Sequence, residues 1–480
     1  MKKIMILFVF CMLLTPFHLW SAHAQPNELS EEKIDEYIQA EMKAAHIPGL
    51  AIGIVKGDQI THLKGYGKEI SPQTPFILGS TTKSFTAMAI MKLVEEGKVD
   101  LDSPIQTYLP EMDFPNISVR QLLNQTSGIS KAPKQNGEWQ IKRENIGQVF
   151  EYSNENYKLL GQIITSVTNK AYEEYIRENI FTPLDMTHSY TSQTLAGENG
   201  LAAGYRTWFG FNFENELPFN EEYLPAGYLI SSAEDMTHYL IAQMNNGKYL
   251  SQTLVSNSSL EEMHKPSVKA PIMGEDSYYG MGWFVSPTNG VPTIRHSGEA
   301  PNYHSTMIIM PNENYGIILL SNINNSIIIS GLIEKIGAGV VDILAGKEPS
   351  SISSNTFPKI YMIMNGVILI IVVLLIFHMK NILKWHSGLI NGKSPKLKTI
   401  ILPLLVNFIL PLLILTQLPN SLGFTWSFLY DFIPDLTSVI WGTSVILLTT
   451  GCVKLFLWIK FSLGTRGQVP CPANLNEMAR

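Results

Sequence analysis

Ser80-Thr81-Thr82-Lys83 is the group of residues in this chain that is best placed for chemistry. If a helix begins at Ser80, the lysine lies one turn further along the same face, and its nitrogen can reach the serine hydroxyl. A base at that distance can take the proton of a serine that attacks a carbonyl, which is acyl transfer. The same spacing occurs at Ser30-Glu31-Glu32-Lys33, where a helix N-cap with acidic first-turn residues explains it. Other residues must therefore decide whether Ser80 is a nucleophile.

Two further motifs carry groups that acyl transfer needs. Tyr152-Ser153-Asn154 offers a phenol that could act as a base and an amide that could bind a substrate carbonyl. His296-Ser297-Gly298 leads to Pro301 and a predicted hairpin. A serine at a helix N-terminus also has a free backbone N–H that can point at an oxyanion. Together the three motifs favour Ser80 over Ser30.

The elements that must position these motifs predict one α+β domain. Residues 30–45 have helical spacing, and residues 50–55 and 59–66 read as a β-hairpin around Gly57-Asp58. Residues 80–240 are mostly helical, residues 305–310 and 315–320 form a second hairpin, and a closing helix runs from about 326 to 345. Strands at both ends of the domain predict an antiparallel sheet flanked by helices, with an all-helical subregion between them.

Apolar segments at both ends of the chain predict export and membrane attachment. Lys2 and Lys3 precede an apolar stretch and Ala22-His23-Ala24 follows it, which is typical of a signal peptide, with an uncleaved signal anchor as the alternative. The predicted segments are a signal peptide at 1–24, a globular domain at 25–346, a serine-rich linker at 347–359, transmembrane helices at 360–377, 400–418 and 436–459, and a tail at 460–480.

The loop charges predict how these spans are oriented. Residues 378–399 carry several lysines and no acid, whereas residues 417–435 carry Asp431 and Asp435 and neither Lys nor Arg. The lysine-rich loop and the C-terminus are therefore expected in the cytoplasm, with the globular domain outside. The notable polar residues within the spans are Asn365, Asn407 and Lys454, so we interpret the spans as an anchor.

Composition argues against several classes of protein. The 480 residues include three cysteines, Cys11, Cys452 and Cys471, so the exported domain has no disulfide, cysteine nucleophile or thiolate metal site. The formal net charge of -6 and the absence of a basic cluster in the domain give no reason to expect nucleic-acid binding. His296 and His304 lack a nearby carboxylate at ligand spacing, so no metal site is expected. We expect no cofactor.

The ordered motifs resemble those of the penicillin-recognising serine hydrolases, in the branch of class C β-lactamases, D-aminopeptidases, DD-carboxypeptidases and related esterases. The resemblance covers about residues 30–345 and includes the β-lactamase/transpeptidase-like fold. His386-Ser387-Gly388 repeats the third motif, but in the predicted cytoplasmic loop, where it cannot serve an exported site. Supporting phrases in the family's order are Leu122-Leu123-Asn124-Gln125-Thr126-Ser127-Gly128-Ile129, Ser231-Ser232-Ala233-Glu234-Asp235-Met236 and Tyr279-Gly280-Met281-Gly282-Trp283.

The resemblance implies a role for each motif. Ser80 would form an acyl-enzyme, with Lys83 and Tyr152 sharing the proton that passes from Ser80 to the leaving group. The pKa values of Lys83 and Tyr152 would both have to be depressed for work near neutrality. The backbone N–H groups of Ser80 and Glu299 would form the oxyanion hole. Asn154, His296 and Gly298 would bind the substrate.

The third motif departs from the K-T-G form of the strongest β-lactamases. His296 replaces the lysine that helps to hold a β-lactam carboxylate, and Glu299 is expected to repel an acid. This favours a penicillin-binding-protein-like hydrolase acting on D-alanyl amides or esters of the cell envelope, with a carboxylesterase or weak β-lactamase as the alternative. A membrane sensor that is acylated, or that binds a ligand, is an alternative of another class.

An aromatic cluster, Trp208, Phe209, Phe211 and Phe213, leaves two interpretations open. These side chains could line an acyl pocket, or they could pack under a loop.

Overall fold

The computed structural model describes residues 26–112, 114–130, 139–216, 219–390 and 397–466. The predicted signal peptide, 1–24, and most of the predicted tail lie outside these residues. The strands are β1 Gly49–Lys56, β2 Gln59–Gly67, β3 Phe76–Ile77, β4 Tyr205–Trp208, β5 Phe211–Glu214, β6 Ile230–Ser231, β7 Lys248–Tyr249, β8 Gln252–Thr253, β9 Val268–Lys269, β10 Tyr278–Tyr279, β11 Phe284–Thr288, β12 Val291–Ala300, β13 Tyr303–Met310, β14 Tyr315–Ser321 and β15 Ile323–Asn324.

Helices account for most of the remaining described residues. They are α1 Pro26–Ala45, α2 Thr82–Glu95, α3 Val119–Leu123, α4 Asn154–Thr168, α5 Tyr172–Ile176, α6 Gln193–Glu198, α7 Ala233–Met244, α8 Asn257–His264, α9 Ile329–Leu344, α10 Thr356–Ile390, α11 Leu397–Leu404, α12 Leu410–Leu422, α13 Trp426–Phe432 and α14 Pro434–Arg466. Because α1 begins at Pro26, Ser30 lies inside a helix, and the expected N-cap at that position is wrong.

The main sheet joins distant parts of the chain, as the sequence predicts. Eight strands lie in the order β2-β1-β14-β13-β12-β11-β10-β9, and each neighbouring pair is antiparallel. Strand β1 pairs with β14 from Leu50 opposite Ser321 to Lys56 opposite Tyr315. Both predicted hairpins are therefore confirmed, and they lie side by side in one sheet.

Two apolar cores hold the sheet in place. On one side α1 and α9 pack their buried side chains against β1, β13 and β14, with Ile38 and Ile336 fully buried. On the other side, α2, α4 and α7 form a larger core that includes Phe85 stacked on Tyr239 at 3.9 Å between ring centroids. The predicted α+β arrangement with a helical subregion is confirmed.

Three helices are long and apolar enough to cross a membrane: Thr356–Gly388, Ile401–Leu422 and Pro434–Phe461. The first includes His378, which the sequence placed in a loop, and the repeated His386-Ser387-Gly388. His378 Nε2 lies 2.7 Å from Asn407 Oδ1, and the Thr450 hydroxyl donates to the same oxygen at 2.9 Å. Polar contacts of this kind hold neighbouring spans together.

The segment before α10 packs on the domain rather than hanging free. The backbone N–H of Ile352 donates to the Glu41 carboxylate at 2.5 Å, and the Ile352 side chain is 4% exposed. Lys335 Nζ donates to the Ser351 carbonyl at 3.0 Å. The predicted linker therefore ends early, at the start of α10, and hydrogen bonds at Ser351 and Ile352 tie it to α9 and α1.

Candidate active site

Ser80 lies in a 3-10 turn, Gly79–Thr81, that leads directly into α2. Gly79 has a positive φ of 56°, which a glycine adopts without strain, and the turn ends against β13. The Thr81 hydroxyl and the Ser305 hydroxyl both donate to the Leu78 carbonyl, at 2.9 and 2.5 Å. Ser80 is partly exposed, whereas the residues that follow it are buried. A substrate can therefore reach the Ser80 hydroxyl at the head of a buried helix.

Lys83 is fully buried and points back at Ser80. Its Nζ contacts three oxygens: Ser80 Oγ at 2.9 Å, Asn154 Oδ1 at 2.7 Å and the Ala226 carbonyl at 2.6 Å. Burial lowers the pKa of Lys83 well below its usual value.

The three oxygens around Lys83 Nζ can accept the three N–H groups of an ammonium. Burial favours loss of one proton, which leaves an amine with two N–H groups and one lone pair. The Asn154 and Ala226 oxygens accept the two N–H groups, because a carbonyl oxygen cannot donate. The lone pair then faces the Ser80 hydroxyl, which can donate to it. This arrangement prepares Lys83 to take the Ser80 proton.

Tyr152 lies on the other side of Ser80, and Lys83 Nζ is 4.8 Å from the centroid of its ring. Burial raises the pKa of Tyr152, and a hydrogen bond with the Ser80 side chain only partly offsets this. The expectation that both pKa values fall is therefore wrong for Tyr152, because burial disfavours an anion as strongly as a cation. In the free protein Tyr152 is a neutral phenol that can pass a proton on, and Lys83 is the better base.

The loop that contains Gln125 fixes the position of Tyr152. The Gln125 side-chain oxygen accepts the backbone N–H of Ser153 at 3.0 Å, and the Gln125 carbonyl accepts the N–H of Glu151 at 2.9 Å. The Ser153 hydroxyl donates to the Ser130 carbonyl at 2.9 Å. Asn154 then begins α4 with an exposed side chain, and its oxygen reaches Lys83. Hydrogen bonds at Glu151 and Ser153 therefore hold the backbone on both sides of Tyr152.

Strand β12 presents alternate residues to opposite faces of the sheet. His296 and Gly298 face the nucleophile, while Arg295 and Glu299 face α9. A Cβ at Gly298 would lie 1.9 Å from the Leu78 carbonyl oxygen and 2.9 Å from the Ser80 nitrogen, and one at Gly79 would lie 2.6 Å from the Glu299 nitrogen. The backbones of the two segments therefore touch, and the Ser80 and Glu299 nitrogens border one small region.

His296 is a neutral, hydrogen-bonded part of the site wall. Its Nδ1 lies 2.7 Å from the Ser297 carbonyl and can only donate there, which leaves Nε2 to accept from the Tyr279 hydroxyl at 3.3 Å. Burial lowers the pKa of His296 to about 3. His296 therefore supplies no positive charge for a substrate carboxylate.

Glu299 does not point at the nucleophile. Its carboxylate accepts hydrogen bonds from the hydroxyls of Ser326 and Ser330, the latter at 2.7 Å, on the face of the sheet that α9 covers. Strand alternation places the Glu299 side chain on the face away from the nucleophile, but its negative charge still helps to raise the pKa of Tyr152, so repulsion of an acidic substrate stays a prediction. What β12 offers at this position is its backbone N–H.

A cavity of about 530 Å³ begins where β12 ends. It is lined by Ala300, Pro301, Tyr303 and Tyr228, and its charged lining residues are Glu214 and Glu216. Within the described part of the chain, no Lys or Arg lines it. Its lining includes Ala300, the residue after Glu299, and Ile77, three residues before Ser80.

Three contributors to the site were not identified from the sequence. The Ala226 carbonyl is a backbone atom, which leaves no signal in residue type. Tyr279 and Gln125 lie in sequence motifs that the resemblance includes. That the Tyr279 hydroxyl contacts His296 and the Gln125 amide contacts Ser153 is evident only from the structure. In the described ranges, no group of three His, Cys, Asp or Glu side chains is placed to hold a metal ion.

The aromatic cluster fits neither of its two interpretations. Trp208, Phe211 and Phe213 are exposed on the β4–β5 hairpin. This hairpin lies against the start of α10, where Asn365 Nδ2 donates to the Phe209 carbonyl at 3.0 Å. The aromatic side chains therefore lie beside the apolar helices, neither in the cavity nor under a loop.

Comparisons with known proteins agree with this geometry. The family model described as Beta-lactamase matches residues 34–327. Protein flp of Staphylococcus aureus (strain COL) is 30% identical over 468 residues, which cover 90% of this chain and 91% of that protein. The penicillin-binding protein PbpX of Bacillus subtilis (strain 168) is 31% identical over 316 residues, 62% of this chain and 74% of that one.

A solved structure extends the likeness to three dimensions. The octameric penicillin-binding protein homologue from Pyrococcus abyssi has a TM-score of 0.57 and 28% sequence identity, and the match covers 66% of this chain and 78% of that one. The fold, the ordered motifs and these matches lead to one conclusion: the chain belongs to the beta-lactamase family, the penicillin-binding-protein-like superfamily of serine hydrolases.

Proposed function

We propose that this protein is a membrane-anchored serine hydrolase that forms an acyl-enzyme at Ser80 and acts on D-alanyl esters or amides of the cell envelope. The observation that carries the proposal is the fully buried Lys83, whose Nζ contacts Ser80 Oγ and two carbonyl oxygens and whose pKa burial lowers well below its usual value. Few roles other than proton transfer explain a lysine buried without an acidic partner.

The reaction has two halves. Lys83 takes the proton of the Ser80 hydroxyl as its oxygen attacks the substrate carbonyl, and the backbone N–H groups of Ser80 and Glu299 stabilise the oxyanion. The bond to the leaving group breaks as that group receives a proton from Lys83 by way of the Tyr152 hydroxyl. Water then attacks the acyl-enzyme and gives up a proton to the same pair, which returns it to Ser80 Oγ as the ester bond breaks and the acid leaves.

The electrostatics of the site favour a substrate with an ammonium group over one with a carboxylate. His296 is neutral, so nothing at the K-T-G position attracts an anion. Glu214 and Glu216 line the adjoining cavity and favour a cation. A D-alanyl ester with a free amino group meets both conditions, and a penicillin meets neither.

The contacts of the apolar helices support the proposed location. Helix α13, between the second and third candidate spans, touches the catalytic domain through Arg206, which is what a domain on the same side of the membrane as α13 requires. With the lysine-rich loop inside, the domain is extracytoplasmic and the C-terminus cytoplasmic. A signal peptide at 1–24 would start this topology.

The test uses the full chain in detergent with three esters: D-alanine methyl ester, N-acetyl-D-alanine methyl ester and a nitrophenyl acyl ester. We expect hydrolysis of the D-alanine ester with the highest kcat/KM and its loss in Ser80→Ala. Equal hydrolysis by Ser80→Ala refutes the nucleophile, and preference for the nitrophenyl ester indicates a general carboxylesterase. Mass spectrometry of the protein after exposure to the D-alanine ester separates the sensor hypothesis, since a sensor retains the acyl group on Ser80 whereas a hydrolase releases it.

A further inference from the structure

Helix α13, the short segment between the second and third candidate spans, contacts the catalytic domain directly. The Arg206 guanidinium on β4 donates to the backbone carbonyls of Tyr430 and Asp431, the latter at 3.1 Å. It also lies 5.1 Å from the centroid of the Tyr430 ring, within cation–π range. The backbone N–H of Ser326 donates to the Phe432 carbonyl at 3.2 Å. One helix end thus accepts hydrogen bonds from two separate parts of the domain.

The first contact leads to the end of β12. Strands β4 and β15 pair in parallel, with Arg206 opposite Asn324. Asn324 Nδ2 donates to the Ala300 carbonyl at 3.0 Å, and it lies 3.4 Å from the Glu299 carboxylate. A shift of Arg206 would therefore be transmitted through Asn324 to Glu299 and Ala300, the last two residues of β12.

The second contact leads to the same place by a shorter route. Ser326, whose N–H is held by α13, donates its hydroxyl to the Glu299 carboxylate. Ser330 holds the other oxygen of that carboxylate from α9 at 2.7 Å. One carboxylate oxygen of Glu299 is therefore held by Ser330 of α9, and the other is held by Ser326, which α13 contacts.

We propose that α13 positions the oxyanion strand, with Arg206 and Ser326 as positioning residues, so that anchoring in the membrane and acyl transfer are coupled. The proposal rests on the proposed function, in which the Glu299 N–H stabilises the oxyanion. An oxyanion donor must sit within about 0.5 Å of its working place, and a buried network is what holds a backbone group that closely. Loss of the α13 contacts lets the end of β12 shift without removing any group that touches substrate.

The experiment compares full-length variants in detergent with the D-alanine methyl ester. Arg206→Ala removes the contact from the domain side, and Tyr430→Ala removes the stacked ring from the α13 side. Both are expected to lower kcat about 10-fold with KM changed less than about 2-fold, because the donor acts on the transition state. The double variant is expected to have the same kcat as the less active of the two single variants, because both changes break the same contact.

Two further variants separate positioning from general damage. Arg206→Lys keeps a cation that can reach the same carbonyls and is expected to retain most of the activity. Arg177→Ala removes an exposed arginine of the helical subregion and is expected to leave kcat unchanged. Thermal unfolding is measured on every variant, and Ser326→Ala, which deletes one hydroxyl, serves as the milder test on the second route.

The outcomes are distinct. Wild-type kcat in Arg206→Ala, Tyr430→Ala and Ser326→Ala, with Ser80→Ala inactive, overturns the positioning role and leaves the proposed function standing. Additive losses in the double variant also overturn it. A wild-type protein without Ser80-dependent turnover instead refutes the proposed function itself.

Discussion

Gly79 and Gly298 pass so close to each other's segments that neither position has room for a side chain. A Cβ at Gly298 would lie 1.9 Å from the Leu78 carbonyl oxygen, a backbone atom that cannot rotate away. This contact sets the distance between the nitrogens of Ser80 and Glu299. The oxyanion region is thus built from backbone, and glycine is needed where the two strands of chain meet.

Gly298→Ala is the direct test of that contact. The new methyl group must push β12 away from the Gly79–Thr81 turn, and displacements near 1 Å at a reacting centre cost about 100-fold in rate. We expect acylation to fall at least about 100-fold. The matched control is Gly331→Ala on α9, where a Cβ meets nothing within 4 Å; it should leave the rate unchanged and stabilise the helix slightly. Equal rates for Gly298→Ala and the wild type contradict the prediction.

Lys83→Met tests the proton acceptor. Methionine fills a similar volume without a lone pair for the Ser80 hydroxyl, so acylation should fall by about 1,000-fold, within the range of general-base catalysis. Lys92→Met, on the same helix and away from Ser80, is the control and should keep wild-type acylation. Stopped-flow measurement of acylation distinguishes the two, and a loss smaller than about 10-fold would assign the base to another group.

The pH dependence of stability tests the burial of His296. Its pKa falls from 6.5 to about 3 on folding, so between these values the unfolded chain binds a proton that the folded chain does not. The contribution of neutral His296 is therefore complete above pH 6.5 and is lost as the pH falls, by at most about 1.4 kcal/mol per pH unit. We expect His296→Gln to reduce the slope of unfolding free energy between pH 6.5 and 4. An unchanged slope in chemical denaturation shows that His296 is accessible to protons when folded.

A Glu214→Gln, Glu216→Gln double variant tests the charge preference of the cavity. The ratio of kcat/KM for D-alanine methyl ester to that for N-acetyl-D-alanine methyl ester should fall about 3- to 10-fold, because the neutral ester loses no attraction. In the wild type the same ratio should fall as salt rises from 0.02 to 0.5 M, and in the variant it should change little. A ratio that is equal in both proteins at low salt places the ammonium elsewhere.

The sequence predicted the main elements because their signals are local. Hairpin turns at Gly57-Asp58 and Pro311-Asn312-Glu313-Asn314 lie between alternating or continuous apolar strands, and both hairpins form. The three long apolar segments likewise predict helices by length alone. The N-cap expected at Ser30 was wrong because α1 begins four residues earlier, at Pro26, and proline is favoured at the first position of a helix.

The site shows where local signals end. Residue types and spacing singled out Ser80, Lys83 and Tyr152 as candidates, and the structure brings the three side chains together. The direction in which each pKa moves depended on burial, which comes from elements far apart in the chain: Ala226, Asn154 and His296 enclose Lys83 and Tyr152 only after folding. The side of the sheet that Glu299 faces depended on the register of β12, which pairing with β13 determines.

From its sequence alone, this chain could be assigned to a family, and Ser80 and three apolar segments could be singled out, because motifs, helix spacing and apolar length are properties of short segments. Only the tertiary structure decided that Lys83 is buried, that burial raises the pKa of Tyr152, that the Glu299 side chain lies on the face of α9, and that α13 is hydrogen-bonded to Arg206 and Ser326. Burial and long-range hydrogen bonds set these properties, and neither is a property of any one segment.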